Sequence, residues 1–232
     1  MLTVDQRDAV TILTLDDGKA NAVGFDFIAA LHEGLDRAET DGDAVVIGGR
    51  PGVLSAGFDL KVIHKGWEAA RPLRRDGARL LARLLLHPQP VVIACTGHAL
   101  AAGALILFAG DTRIGTAGDF KIGLNETAIG LPLGPFALSL ARSRIPNRYL
   151  TEATIQARIY DPDAAVERAY LDEVVELDAL IDTALMRASA LCELDMPAYG
   201  IVKRRVRADT ARDMVADFDI DLRAEGWLEA DA

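Results

Sequence analysis

Pro90-Val91-Val92-Ile93-Ala94-Cys95-Thr96-Gly97-His98-Ala99-Leu100-Ala101-Ala102-Gly103-Ala104 passes from an unbroken apolar run through a glycine turn into small residues. A continuous β-branched run predicts a strand covered on both faces over 90–96, and the small residues predict a helix over 100–109. The window 91–109 is long enough to suggest a membrane span, but Thr96, Gly97, His98 and Gly103 interrupt it and Pro90 precedes it. Strand then helix is the reading, and no membrane insertion is expected. The same grammar recurs upstream. Residues 9–15 predict a first strand ending at Asp16-Asp17-Gly18. Phe27, Ile28, Leu31 and Leu35 then recur at helical spacing, with Asp26 placed to cap and Gly42 beyond the end. Ala44-Val45-Val46-Ile47-Gly48-Gly49 is a second apolar run without alternation, and 112–115 a further short strand. Strand, glycine turn and helix thus repeat, which implies a layered α/β fold. Residues 63–76, polar with Gly66, Pro72 and several arginines, read as a segment able to move over a ligand ahead of an apolar helix at 77–86. From about Asp163 the chain reads as helical, with breaks at Pro162, Pro197 and Gly200, and as a section used for assembly.

Composition narrows the function classes. The chain has 232 residues, 50% of them hydrophobic, enough for one substantial core. Lys plus Arg number 25 against 35 Asp plus Glu, a net charge of −10 that argues against nucleic acid as partner. The 2 cysteines, Cys95 and Cys192, form no disulfide framework or zinc spacing and read as reduced thiols. The charged start Met-Leu-Thr-Val-Asp-Gln-Arg-Asp lacks the apolar run of an export signal, so a cytoplasmic protein is expected.

Two turns carry the chemistry. Ser55-Ala56-Gly57-Phe58-Asp59-Leu60-Lys61 follows one buried strand, and Gly97-His98-Ala99-Leu100-Ala101-Ala102-Gly103-Ala104 follows another. Taken singly, each is an ordinary strand-to-helix connection; as a pair they can aim two backbone N–H groups at one point, which an enolate oxygen requires.

These stretches, with Asp111 beyond the second and Ile122-Gly123-Leu124-Asn125-Glu126-Thr127-Ala128-Ile129-Gly130-Leu131-Pro132 after it, resemble the crotonase or enoyl-CoA hydratase/isomerase family from Lys19-Ala20-Asn21-Ala22 to about Asp178. The resemblance implies a spiral of strand-strand-helix units over 1–178 and a C-terminal helical trimerisation section over 179–232, with homotrimers that often pair into hexamers. It implies an acyl-CoA thioester substrate and no separate cofactor or metal. It assigns the oxyanion donors to the N–H groups of Phe58 and Ala102. Where many relatives have three glycines this chain has Ala101-Ala102-Gly103, and alanine requires ordinary backbone dihedrals. It places Lys19, Ala20, Ala22, Ala56, Asp59, Leu60 and Lys61 along CoA. Lys203, in Tyr199-Gly200-Ile201-Val202-Lys203-Arg204-Arg205, is either a CoA-phosphate ligand or part of a solvated basic face.

The acid/base positions discriminate further. Of the two glutamates that hydratases of the family use, the first corresponds here to Leu105, which transfers no proton, and the second to Glu126. GLNET resembles the Δ3,Δ2-enoyl-CoA isomerases, for which a single carboxylate suffices. The expected activity is isomerisation of 3-enoyl-CoA to 2-enoyl-CoA in fatty-acid breakdown; the alternatives are hydration and a catalytically weak acyl-CoA binder. Against catalysis, Glu126 reads as a helix-start carboxylate satisfying backbone donors. His98, Asp59 and Asp111 read as structural, and Asp119 and Asn125 as neighbours able to assist Glu126.

Overall fold

The apolar runs become central strands because both of their faces are covered. A computed structural model describes residues 1–228. Its large sheet has the order β1 (Leu2–Arg7), β2 (Val10–Leu15), β3 (Ala44–Gly49), β5 (Val91–Cys95), β7 (Thr112–Thr116), β9 (Glu173–Val175). β1 and β2 are antiparallel and every later pairing is parallel, with Val45 opposite Val91 and Val92 opposite Thr112. Side chains alternate across a strand, so Val45, Ile47, Val91 and Ile93 enter the main core while Ala44, Val46, Val92 and Ala94 enter a second core on the opposite face. Neither face is left to water, hence no polar alternation.

A smaller parallel sheet, β4 (Gly52–Ser55), β6 (Gly97–Leu100), β8 (Ile122–Gly123), stands beside it. The chain visits the sheets in turn: β3 then β4, β5 then β6, β7 then β8, with helical segments closing each circuit. This is the expected α/β spiral of strand-strand-helix units. The helices are α1 (Phe25–Asp41), α2 (Leu60–Ile63), α3 (Trp67–Leu86), α4 (Ala102–Ala109), α5 (Pro135–Arg144), α6 (Asn147–Leu150), α7 (Pro162–Glu167), α8 (Leu180–Cys192) and α9 (Met196–Val215). Leu180, Ala184 and Ala188 of α8 cover the second core, while α9 packs on α3 and α5. Of the expected assembly section 179–232, positions 229–232 lie outside the described residues.

Several expectations are corrected. An added strand, β1, precedes the first one read; its outward residues are polar and only Leu2 and Val4 are half-buried. Asp26 lies in the first turn of α1 rather than at its cap, which is Gly24. Most of the polar stretch 63–76 is helical and continuous with the apolar helix, Pro72 included, because one face of α3 is buried by Ala70, Leu73 and Gly77. The helix expected from Leu100 starts at Ala102, since Gly97–Leu100 pairs as β6. Beyond Asp163 the chain is not all helix: β9 completes the sheet beside β7. Pro162 and Pro197 open helices, where the missing N–H is not needed, and Gly200 lies within α9. Among the described residues no helix is long and apolar enough to cross a membrane.

Candidate active site

The small sheet delivers three segments side by side: β4 runs into Gly57-Phe58, β6 into Ala101-Ala102 and β8 into Asn125-Glu126. The first two turns interlock. A methyl group on Gly57, whose φ is +96°, would lie 2.7 Å from the Ala101 Cβ and 3.2 Å from the Ala102 nitrogen. One on Gly103 would lie 2.2 Å from the Ser55 carbonyl oxygen. Only glycine admits such an approach. Ser55 locks the first turn by donating from Oγ to the Asn21 carbonyl at 2.7 Å and accepting from the Gly57 N–H at 3.2 Å.

Phe58 pairs with Val23 as a parallel bridge in which Val23 N–H donates to Gly57 O at 2.8 Å and Asp59 N–H to Val23 O at 3.1 Å. Successive backbone groups point in opposite directions, so the Phe58 N–H faces away from Val23. The Ala102 N–H belongs to the first turn of α4, where no intrahelical acceptor exists. Among the described residues neither N–H has a protein acceptor. Ala101 departs from expectation: it sits at φ +51°, ψ −121°, a conformation disfavoured for any residue with a Cβ. Its N–H donates to Gly123 O at 3.0 Å, and its carbonyl accepts from Ala104 and Leu105 at 2.9 and 3.1 Å, which holds the strained turn in place.

An apolar cleft of about 150 Å³ opens beside these turns. Phe58, Ile63, Leu131, Leu133, Phe136 and Ala137 form its walls, with Ala101 at one side and Asn125 and Glu126 supplying polarity. Glu126 occupies the N-cap position of a short 3-10 turn, Thr127–Ile129, yet its side chain makes no capping hydrogen bond. Glu126 therefore does not cap the turn, although its carboxyl is within reach of its own backbone N–H. Its Oε2 is inaccessible and has no hydrogen-bond partner, and the same is true of Asn125 Oδ1. Burial pushes the Glu126 carboxyl up to about 7, against the opposing pull of its own backbone N–H and of Arg74. Leu105, buried in α4, brings no ionisable group.

The residues expected along CoA divide. Lys19, Ala20, Ala22, Asp59 and Lys61 line one open depression, while Ala56 and Leu60 line the apolar cleft. The groups are tied by Ala56 N–H donating to Ala20 O at 3.0 Å, and Arg50 Nε holds the Lys19 carbonyl at 2.8 Å. Asp59 caps α2 through the Lys61 N–H at 2.9 Å. Lys203 lies apart from both depressions, buried, with Nζ 2.6 Å from Asp111 and 3.0 Å from the Gln89 carbonyl. It is neither a solvated basic face nor a lining group of either depression. His98 Nδ1 accepts from the Lys121 N–H at 2.9 Å and its ring meets Phe120 edge-on, the structural role expected. Asp119 is exposed and outside the cleft lining. Arg74, which no sequence reading singled out, is in that lining; its spacing of seven from Trp67 was the available signal. Among the described residues no group of His, Cys, Asp or Glu is arranged to hold a metal.

Residues 5–228 match the family described as enoyl-CoA hydratase/isomerase. A probable enoyl-CoA hydratase of Mycobacterium avium is 32% identical over 186 residues, 78% of this chain and 69% of that protein. The human mitochondrial enoyl-CoA delta isomerase 1 is 26% identical over 232 residues, 94% of this chain and 74% of that protein. Among solved structures, an enoyl-CoA hydratase/isomerase family protein from Pseudomonas syringae superposes with a TM-score of 0.91 at 40% identity, covering 93% of this chain and 94% of the other. The interlocked turns, the cleft and these likenesses agree: the chain belongs to the enoyl-CoA hydratase/isomerase family.

Proposed function

We propose that this enzyme isomerises 3-enoyl-CoA to 2-enoyl-CoA with Glu126 as the only proton carrier. The observation that carries the reading is that Glu126 is, among the described residues, the one carboxylate lining the apolar cleft, with an oxygen that nothing in the protein satisfies. Ionised Glu126 takes the proton from C2 of the bound thioester. The electron pair left behind delocalises through the thioester carbonyl and the C3–C4 double bond, and the dienolate oxygen accepts hydrogen bonds from Phe58 and Ala102 N–H. Glu126 then returns the same proton to C4, leaving the double bond between C2 and C3. No water enters the balance. Preorganised donors of this kind are typically worth about 100- to 1000-fold each, and a positioned general base about 100- to 10,000-fold. A carboxyl poised at about 7 suits a group that must both accept and return a proton.

The thioester's nucleotide end is assigned to the depression of Lys19 and Lys61. Assembly into homotrimers or hexamers is assigned to the groove between α8 and α9, where Leu194, Val202 and Val206 are exposed. Hydration is the second reading, favoured by the name of the mycobacterial relative. It requires a second group to position water, and Leu105 does not provide one. Turnover of 3-enoyl-CoA measured beside hydration of 2-enoyl-CoA separates them: the proposal expects isomerisation to dominate, and dominant hydration would overturn it.

A further inference from the structure

The arginines of α3 differ in how they are neutralised. Arg75, Arg79 and Arg83 follow one another at a spacing of four along one face, and all three have partners. Arg75 reaches Asp76 and the Phe218 carbonyl, Arg79 holds Glu225 at 2.8 Å, and Arg83 holds Asp36 and Glu39 at 2.5 and 2.9 Å. Arg74 is turned onto a different face. It shares that face with Gly77, which abuts the Phe58 ring, and it lines the apolar cleft. Among the described residues no carboxylate or carbonyl binds its guanidinium, which lies over the ring of the exposed Trp67 at 5.6 Å from the centroid. Glu126 lines the same cleft and feels the Arg74 charge, yet the two form no ion pair within 4 Å. A guanidinium fork held by an aromatic plane at the wall of an apolar cleft is suited to a planar anion, and a carboxylate is its geometric match.

We propose that Arg74 is a specificity residue that binds a carboxylate at the far end of the acyl chain, so that the preferred substrates are CoA thioesters of dicarboxylic acids. The inference rests on the acyl-CoA reading above. It gives the acyl group two polar anchors, the thioester oxygen at Phe58 and Ala102 and the distal carboxylate at Arg74, with apolar walls between them.

Equilibrium binding tests it without requiring turnover. Succinyl-CoA, glutaryl-CoA and adipoyl-CoA are titrated against butyryl-CoA, valeryl-CoA and hexanoyl-CoA, with the wild type, Arg74→Met and Arg74→Lys. One carboxylate ester of the series is expected to bind the wild type about tenfold more tightly than its uncharged counterpart, the size of a charge-assisted pair at a partly exposed site. Arg74→Met is expected to bring that ratio to about one, and Arg74→Lys to keep part of it. Preference for the uncharged ester at every length, or a ratio that Arg74→Met leaves intact, would overturn the inference while the acyl-CoA reading stands. Failure of all six thioesters to bind the wild type would overturn that reading, and the inference with it.

Discussion

Asp111 and Glu126 are both carboxylates withdrawn from water, and the molecule gives them opposite surroundings. The Asp111 side chain is 9% exposed and lies 2.6 Å from Lys203 Nζ and 2.7 Å from an Arg207 nitrogen, while also accepting the Val91 N–H at 2.7 Å. Burial alone would raise its pKa; Lys203 and Arg207 outweigh burial and hold it below the usual carboxylate value. Glu126 has no such partner, and burial pushes it up to about 7. The first therefore stays ionised and ties α9 to the strand ends of the large sheet. The second can change its protonation state near neutrality. A buried carboxylate is made structural or reactive by the cations within reach of it, not by burial as such.

The sharpest way to break this comparison is to remove each carboxylate's charge. Glu126→Gln is expected to lower isomerase turnover by about 100- to 10,000-fold in steady-state kinetics while thioester binding, followed by calorimetry, persists. Retained turnover would return Glu126 to a structural role. Asp111→Asn is expected to leave Lys203 and Arg207 buried without a countercharge and to cost about 3–5 kcal/mol in denaturant titrations. Adding Lys203→Met should recover part of that loss; full stability in the single variant would show that the ion cluster contributes nothing.

Acidity sharpens the contrast because the two groups shift in opposite directions. The rate should fall as pH drops below about 7, where Glu126 becomes protonated and can no longer accept the substrate proton. Asp111, whose folded pKa is depressed, contributes stability that is present above the unfolded value of 3.8 and is lost as pH falls through the lower folded value. A rate profile without an inflection near 7 would contradict the assigned surroundings of Glu126. The smallest effect expected is at the strained turn. Ala101→Gly relieves a φ of +51° at the cost of a more flexible unfolded chain, and should stabilise the fold by at most about 1 kcal/mol, read as a rise of a few degrees in thermal midpoint.

Legibility in the sequence followed burial. Ala44–Gly49 and Val91–Cys95 were readable because strands covered on both faces admit only apolar residues. β1 and β9 were not: one face of β1 is open and carries polar residues, and β9, at the other sheet edge, is a three-residue strand that opens on the charged Glu173 and puts one valine on each core. Residues 63–76 looked like a loop because arginines and Pro72 dominate the count, although the apolar stripe of Ala70, Leu73 and Gly77 continues through them. Composition places Leu100 with the small residues of the helix and does not reveal that a neighbouring strand needs its backbone. At the site, the paired glycine turns were legible from residue type and order, and Glu126 was singled out only through the family resemblance of Gly123-Leu124-Asn125-Glu126-Thr127. Arg74 was not, because its neighbours on α3 are also arginines and only their partners differ.

The sequence by itself determined the alternation of buried strands and glycine turns, because this is a property of residue type and local spacing, while the weight of Leu105 and Glu126 came from the resemblance to the family. Tertiary structure decided that Lys203 neutralises Asp111, that Ala101 is held at a positive φ, that Phe58 and Ala102 keep their N–H groups unpaired, and that Glu126 Oε2 is left without a hydrogen-bond partner. Each of these depends on which distant groups come within hydrogen-bonding reach. That distance is set by the packing of the two sheets and α9, not by the residues' own chemistry.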